Sequence, residues 1–215
     1  MADLFDGSAD PAAGNGEERL PGVFVLRSFT SAAGLMRTID AVANSAPFRN
    51  MTTPGGHRMS AEMTNCGSLG WTSDRAGYRY SPTDPKTRLT WPPMPLTFLS
   101  LATKAAERAG FVDFIPDACL INKYAVGAKM GPHQDRDERD FSQPIVSVSL
   151  GLPTVFAMYG PRRGGRAVPI PVYDGDVVVF GGLARQNYHA VRAIKPGQHP
   201  VTGPFRYNLT FRKAG

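Results

Sequence analysis

With 215 residues, 42% hydrophobic and 20% charged, the chain has the size and composition of one globular domain that can bury a core. It has no apolar run of membrane-spanning length and no charged-then-apolar leader pattern. Its two cysteines, Cys66 and Cys119, cannot build a disulfide framework, so a soluble protein of the reducing cytoplasm is expected. The formal net charge of +6 favours a polyanionic partner or an anionic cofactor over a basic one.

Residues 1–21 lack apolar periodicity and read as a frayed arm. Gly22 to Leu26 predicts a short strand. Ser31 then suits the cap of a helix that carries Leu35, Ile39 and Val42 on one face and stops before Pro47. A second helix is predicted from Pro95 to Ala109, opened by proline and closed by Gly110. Between them, residues 48–95 are rich in Gly, Thr, Met and aromatics and repeatedly interrupted by Pro and Gly. Such a stretch predicts an adaptable binding surface or a cover over the core rather than core sheet.

From Asp117 the pattern turns to β. Short strands are predicted at Ala118–Tyr124, Ile145–Leu150, Thr154–Tyr159, Asp176–Phe180 and Arg206–Arg212, and their even spacing points to a sandwich or jelly roll. The motif His133-Gln134-Asp135 sits among them. In an extended strand its imidazole and carboxylate face one side, supplying two of the three ligands of a non-haem Fe(II) facial triad. The pair alone is weak, since short motifs recur by chance. His189, just beyond the predicted strand Asp176–Phe180 and its Gly-Gly turn, is the candidate third ligand. His199, between Gln198 and Pro200, reads as a turn histidine.

Alternation in the last strand puts Arg206, Asn208, Thr210 and Arg212 on one face and Tyr207, Leu209 and Phe211 on the other. If the polar face meets solvent it is ordinary surface. If it meets the interior, the buried guanidinium groups demand anions, and two such forks suit a small dicarboxylate. Leu120, Asn122 and Tyr124 form a second row that could contribute an amide and a phenol to the same acid.

Several longer motifs accompany these rows: Thr53-Pro54-Gly55-Gly56, Met63-Thr64-Asn65-Cys66-Gly67, Gly70-Trp71, the run Pro116 to Asn122, His133-Gln134-Asp135, the run Pro144 to Gly151, and the run Arg206 to Arg212. On them the sequence resembles the AlkB-type Fe(II)- and 2-oxoglutarate-dependent nucleic-acid dealkylases, from about residue 20 onward. The resemblance implies a mostly β fold with flanking helices: a double-stranded β-helix (jelly-roll) dioxygenase core over residues 116–215, supporting helices in 22–115, and a nucleotide-recognition lid at about 48–95. It implies Fe(II) held by His133, Asp135 and His189. It implies 2-oxoglutarate held by Asn122, Tyr124, Arg206, Asn208 and Arg212, with Leu120 lining its pocket, and O2 as the second cosubstrate.

By the same resemblance Trp71 would stack on an extruded base, with Tyr78 and Tyr80 on the strand, Met63 within the lid, and Asp137 and Arg163 beside the damaged base. The implied activity is oxidative demethylation of 1-methyladenine and 3-methylcytosine in single- or double-stranded DNA, or in RNA, by a monomer that needs no membrane. The products would be formaldehyde, succinate and CO2. A dioxygenase of the same fold acting on a protein or a small molecule is the alternative. Two positions depart from the family's habit: Ala190 follows His189 where glycine is usual, and Asn187 stands in place of a bulkier apolar residue.

Overall fold

The structure, a computed structural model, describes residues 16–215. In chain order β1 (Glu17–Leu20) and β2 (Val23–Leu26) form a hairpin, α1 (Ala32–Ser45) follows, and then come β3 (Arg49–Thr52), β4 (Arg58–Gly67), β5 (Gly70–Asp74) and β6 (Gly77–Ser81). After α2 (Leu96–Arg108) the chain continues as β7 (Ala118–Tyr124), β8 (Met130–His133), β9 (Ile145–Gly151) and β10 (Thr154–Met158). The last four strands are β11 (Val168–Val172), β12 (Val177–Phe180), β13 (His189–Val191) and β14 (Arg206–Arg212).

The strands form an eight-stranded sheet in the order β1-β2-β12-β9-β14-β7-β4-β3, a four-stranded sheet β11-β10-β13-β8, and a separate hairpin β5-β6; the pairings are antiparallel. Two apolar clusters lie on the two faces of the large sheet. On its outer face α1 and α2 cover Ile121, Val146, Val148, Val177, Val179, Leu209 and Phe211. On its inner face, towards the small sheet, lie Leu120, Tyr124, Ile145, Val178 and Phe180, meeting Phe156, Met158 and Ile170. Alternating residues of one strand therefore serve different cores, which is what period-2 geometry requires. This is the jelly-roll arrangement expected.

Both helices form where their signals lie. Ser31 caps α1 by accepting from the Gly34 N–H, and Leu35, Ile39 and Val42 are buried. Pro95 precedes α2, and Gly110 terminates it with φ of 84°, a left-handed conformation that glycine adopts without steric cost.

Three expectations need correction. Residues 48–95 do contribute to the core sheet: β3 is an edge strand and β4 lies inside it, paired to β7 from Glu62↔Lys123 to Gly67↔Ala118. Met63, Thr64, Asn65 and Cys66 are all fully buried, so no polar/apolar alternation marks this strand. Its polar members are satisfied internally: Thr64 Oγ1 donates to the Ala46 carbonyl, and Asn65 brackets the Trp71 backbone through both ends of its amide, at 3.0 Å each. Second, the arm assigned to residues 1–21 ends in a strand, because Glu17–Leu20 pairs with β2; residues 1–15 lie outside the described residues. Third, β11 and β13 fall outside the predicted strands, and β8 ends at His133, short of the Asp135 that the extended reading of His133-Gln134-Asp135 includes. The run Val-Pro-Ile-Pro-Val of β11 is tolerated because β11 is a sheet edge, where proline's missing N–H costs no ladder bond.

Candidate active site

The small sheet brings two histidines together. His133 closes β8, His189 opens β13, and the two are register partners with ring centroids 4.3 Å apart. Each ring points Nδ1 at a carbonyl two residues earlier, His133 to Gly131 at 2.8 Å and His189 to Asn187 at 3.2 Å. A carbonyl can only accept, so Nδ1 carries the proton and Nε2 keeps its lone pair for a metal. Asp135, two residues past the end of β8, lies between them. Its Oδ1 is 3.8 Å from His133 Nε2 and its Oδ2 is 3.8 Å from His189 Nε2. The ligand atoms of the three residues lie within 4.8 Å of one another, a two-histidine, one-carboxylate donor set of the kind that suits non-haem Fe(II). His133 and Asp135 meet although Asp135 lies beyond the end of β8, so a shared strand face does not account for their approach.

Electrostatics favour metal over protons here. Burial, seconded by His133, pushes the His189 imidazole down to about 3, so it is neutral at physiological pH. Burial works against ionising Asp135, yet the Arg212 guanidinium outweighs it and holds the carboxyl well below the usual range. Arg212 does so directly, donating from Nη2 and Nε to Asp135 Oδ2 at 2.8 and 3.1 Å.

Beside the triad, a cavity on the inner face of the large sheet is lined by Leu120, Asn122, Tyr124, Ser147, Asn208 and Arg212 among others. Arg206 is buried at 1% exposure at the far end of the same polar row. It donates to Ser149 Oγ at 3.1 Å and lies 5.9 Å from the Tyr124 ring, and among the described residues no carboxylate forms an ion pair with it. Burial lowers its pKa to about 10, which still leaves a full cation at neutral pH. Among the described residues the buried side-chain polar atoms without a hydrogen-bond partner are Asn122 Oδ1, Arg206 Nε and Arg212 Nη1. Buried orphans are rare in folded proteins, and a buried cation without an anion is costly. That the two orphaned donors, Arg206 Nε and Arg212 Nη1, both come from β14, beside the triad, fits a dicarboxylate lodged against that strand.

Asn208 is more committed than expected. Its Nδ2 donates to Ser147 Oγ and the Val148 carbonyl, and its Oδ1 accepts from Thr210 Oγ1. Ser147 and Ser149 are the residues that sequence reasoning missed, although their alternation with Val146, Val148 and Leu150 marks an inner polar face on β9. Phe156 and Phe180 are further unforeseen residues, packing against His189 with centroids 5.4 and 5.0 Å away.

A second, outer cleft opens past the triad and is lined by Trp71, Tyr78, Arg136, Asp137, Arg163 and Tyr188. Trp71 borders both cavities. Its ring stacks with Tyr78 at 5.7 Å and 15°, and its indole N–H donates to Asp137 at 2.9 Å. The hairpin β5-β6 that presents these rings is seated by Asn65 and by Trp91, which donates to the Ser81 carbonyl. A Cβ on Gly70 would come within 2.4 Å of the Trp91 indole, so only glycine allows that approach. Two expected members of this surface lie elsewhere. Met63 is wholly buried and lines the inner cavity. Tyr80 borders neither cavity and donates its hydroxyl to the buried Glu138 at 2.7 Å. His199 is a turn residue, its Nδ1 accepting from the Val201 and Thr202 amides.

Comparison with known proteins agrees with this geometry. The family model of the 2OG-Fe(II) oxygenase superfamily matches residues 22–212. The chain is 53% identical to the alpha-ketoglutarate-dependent dioxygenase AlkB of Salmonella typhimurium, over 100% of this chain and 98% of that protein. Against its Escherichia coli namesake it is 52% identical, over 100% and 99% respectively. Among solved structures it is similar to that of OsALKBH1, with a TM-score of 0.81 and 27% identity over 92% of this chain and 99% of the other.

Proposed function

Because the chain belongs to the 2OG-Fe(II) oxygenase superfamily, we propose that it is an Fe(II)- and 2-oxoglutarate-dependent dioxygenase that removes methyl groups from alkylated bases in nucleic acids. The observation that carries this reading is the meeting of three features: the triad, the orphaned polar atoms beside it, and an aromatic cleft opening onto both. Identity of about half the residues to dioxygenases named AlkB makes a protein or small-molecule substrate the less favoured reading.

In this reading His133, Asp135 and His189 hold Fe(II) through two Nε2 atoms and a carboxylate oxygen. Arg206, with Tyr124 and Asn122, holds the distal carboxylate of 2-oxoglutarate. Arg212, already bonded to Asp135, keeps Nη1 for the carboxylate nearer the metal, while Asn208 and Ser147 brace the floor and Leu120 closes it. Bound Fe(II), with 2-oxoglutarate and O2, supplies the oxidising power to hydroxylate an N-methyl carbon, the keto acid leaving as succinate and CO2. The hydroxymethyl group then departs as formaldehyde, restoring the base.

A base inside a duplex cannot reach the triad, so it must be extruded or already single-stranded. Trp71 and Tyr78 offer it a stacking face. Methylation at N1 of adenine or N3 of cytosine makes the base cationic, and Asp137 at the cleft favours that charge over a neutral base. Arg163 and Arg136 bring positive charge to the same rim for phosphates. The lid is the hairpin β5-β6 and its flanks, and the enzyme works as a monomer in the cytoplasm on single- or double-stranded DNA, or on RNA. No helix among the described residues is long and apolar enough to cross a membrane, and two buried free cysteines suit a reducing compartment.

The test is to incubate the protein with Fe(II), 2-oxoglutarate and air and with single strands carrying 1-methyladenine or 3-methylcytosine, recording oligonucleotide mass. Loss of 14 Da (about one methylene, the net change of demethylation) in wild type but not in His133→Ala is expected. Succinate formation with an intact oligonucleotide would mean that the iron chemistry is right and the substrate wrong.

A further inference from the structure

Behind the triad lies a buried cluster that touches neither cavity: Glu138, Arg185 and the Tyr80 hydroxyl. Glu138 is 2% exposed at its side chain and Arg185 3%. Both Glu138 oxygens are engaged. Oε1 accepts from Tyr80 at 2.7 Å and lies 3.3 Å from Arg212 Nε, while Oε2 accepts from Arg185 Nη2 at 3.1 Å. Arg185 also donates to two backbone carbonyls, from Nη1 to Asp135 at 2.8 Å and from Nε to Gln143 at 2.9 Å.

The connectivity is specific. Tyr80 belongs to β6, so to the hairpin that carries Trp71 and Tyr78 at the outer cleft. Arg212 is shared between Glu138 and Asp135, and Arg185 lies in the segment that leads into His189. Hydrogen bonds therefore run without a gap from the hairpin to the backbone of Asp135, and the Glu138–Arg212 ion pair carries the link on to its side chain. The charges of Asp135 and Glu138 are matched by those of Arg185 and Arg212, so the cluster is neutral. Deleting one charged member would strand another in the interior, which is severely destabilising. The tyrosine hydroxyl is the one link that can be cut without changing that balance.

We propose that Tyr80, Glu138 and Arg185 are positioning residues that join the cleft hairpin to the metal ligands, so that where the hairpin sits is felt at Asp135. This rests on the triad holding the metal, as in the function proposed above, and extends that function to coupling between the two sites. If Tyr80 no longer donates, Glu138 Oε1 has only Arg212 to turn to. Arg212 is drawn off Asp135 Oδ2, and the carboxylate loses its fixed orientation. Coupling is reciprocal by thermodynamic necessity: whatever seats the hairpin changes metal affinity, and metal changes affinity at the cleft by the same factor.

The experiment titrates Mn(II) into the full metal-free chain, alone and then with a single-stranded oligonucleotide carrying 1-methyladenine. Without nucleic acid, Tyr80→Phe is expected to weaken Mn(II) binding roughly ten-fold, the usual cost of losing a partner that orients a ligand. Arg79→Gln, on the same hairpin but paired with Asp74 within it, should bind Mn(II) as wild type does. With the oligonucleotide, the wild-type affinity for Mn(II) should change by about five-fold or more, and that factor should fall towards one in Tyr80→Phe. Wild-type Mn(II) affinity in Tyr80→Phe overturns the proposal. So does a weakening matched by Leu209→Ala, a variant in the helix-covered core on the other face of the sheet, since general loosening would then explain both. Failure of the oligonucleotide to bind wild type counts against the nucleic-acid function and leaves the first comparison to decide the coupling.

Discussion

At the scale of single residues, the most informative is Arg206. It is a buried cation whose contacts among the described residues are a hydroxyl, a carbonyl and a ring, with Nε unpartnered. A guanidinium offers a planar two-pronged donor that an ammonium cannot reproduce, so keeping the charge is not enough. Arg206→Lys should raise the KM for 2-oxoglutarate by about 10- to 100-fold, matching the 1.5–3 kcal/mol of a charge-assisted hydrogen bond, while Mn(II) affinity stays as in wild type. A parallel loss of metal binding would show that Arg206 supports the triad instead. His189 makes a separate prediction about the metal-free protein. Its folded pKa of about 3 lies below the 6.5 of a free histidine, so between those values the unfolded chain binds a proton that the folded chain refuses. Stability must then fall as pH drops from about 6.5 towards 3, and His189→Asn should flatten that slope in denaturant titrations across the window. An unchanged slope would place the acid sensitivity elsewhere.

At the scale of elements, β14 shows what alternation can and cannot reveal. Tyr207, Leu209 and Phe211 belong to the helix-covered core, and Arg206, Asn208, Thr210 and Arg212 to the site. Leu209→Ala should cost about 2–5 kcal/mol in chemical denaturation, the range for a large-to-small change in a full core, and leave the KM for 2-oxoglutarate nearly unchanged. Asn208→Ala, one residue away, should do the reverse, raising that KM with a smaller loss of stability; similar effects from both would mean that the two faces are not independent. This strand was legible because its faces differ in chemistry. β4 was not, because it is buried on both sides and its Thr64 and Asn65 find partners inside, so its polar letters resemble a loop. β11 was hidden by two prolines that only an edge position excuses. Glu138 and Arg185 were the least legible of all. Glu138 sits in the run Arg136–Asp140, which reads as a solvated charged face, and only the fold reveals that this one member turns inward to meet an arginine 47 residues away.

At the scale of the whole molecule, the net charge of +6 and the aromatic cleft make separable contributions to binding. Arg136 and Arg163 line the cleft, and Arg162 and Arg166 stand exposed beside Arg163 on the loop between β10 and β11. Contacts from such side chains to phosphates release condensed counterions, so affinity for a single-stranded oligonucleotide should fall linearly in log–log form with salt. Each phosphate contact adds about 0.7 to the slope. Stacking on Trp71 releases no counterions and is worth about 1–3 kcal/mol per base. Fluorescence titrations over a salt series should therefore separate two variants of similar overall weakness. Arg163→Ala should lower the slope by about 0.7 if it meets a phosphate. Trp71→Ala should shift the line downward without tilting it. Were Arg163→Ala to shift the line without tilting it, the arginine would belong with Trp71 and Asp137 among the groups that meet the base. The basic surplus would then have to reach the nucleic acid through its neighbours on the loop. A wild-type slope near zero would remove the polyanion from the account altogether, since no set of phosphate contacts can be insensitive to the ions they displace.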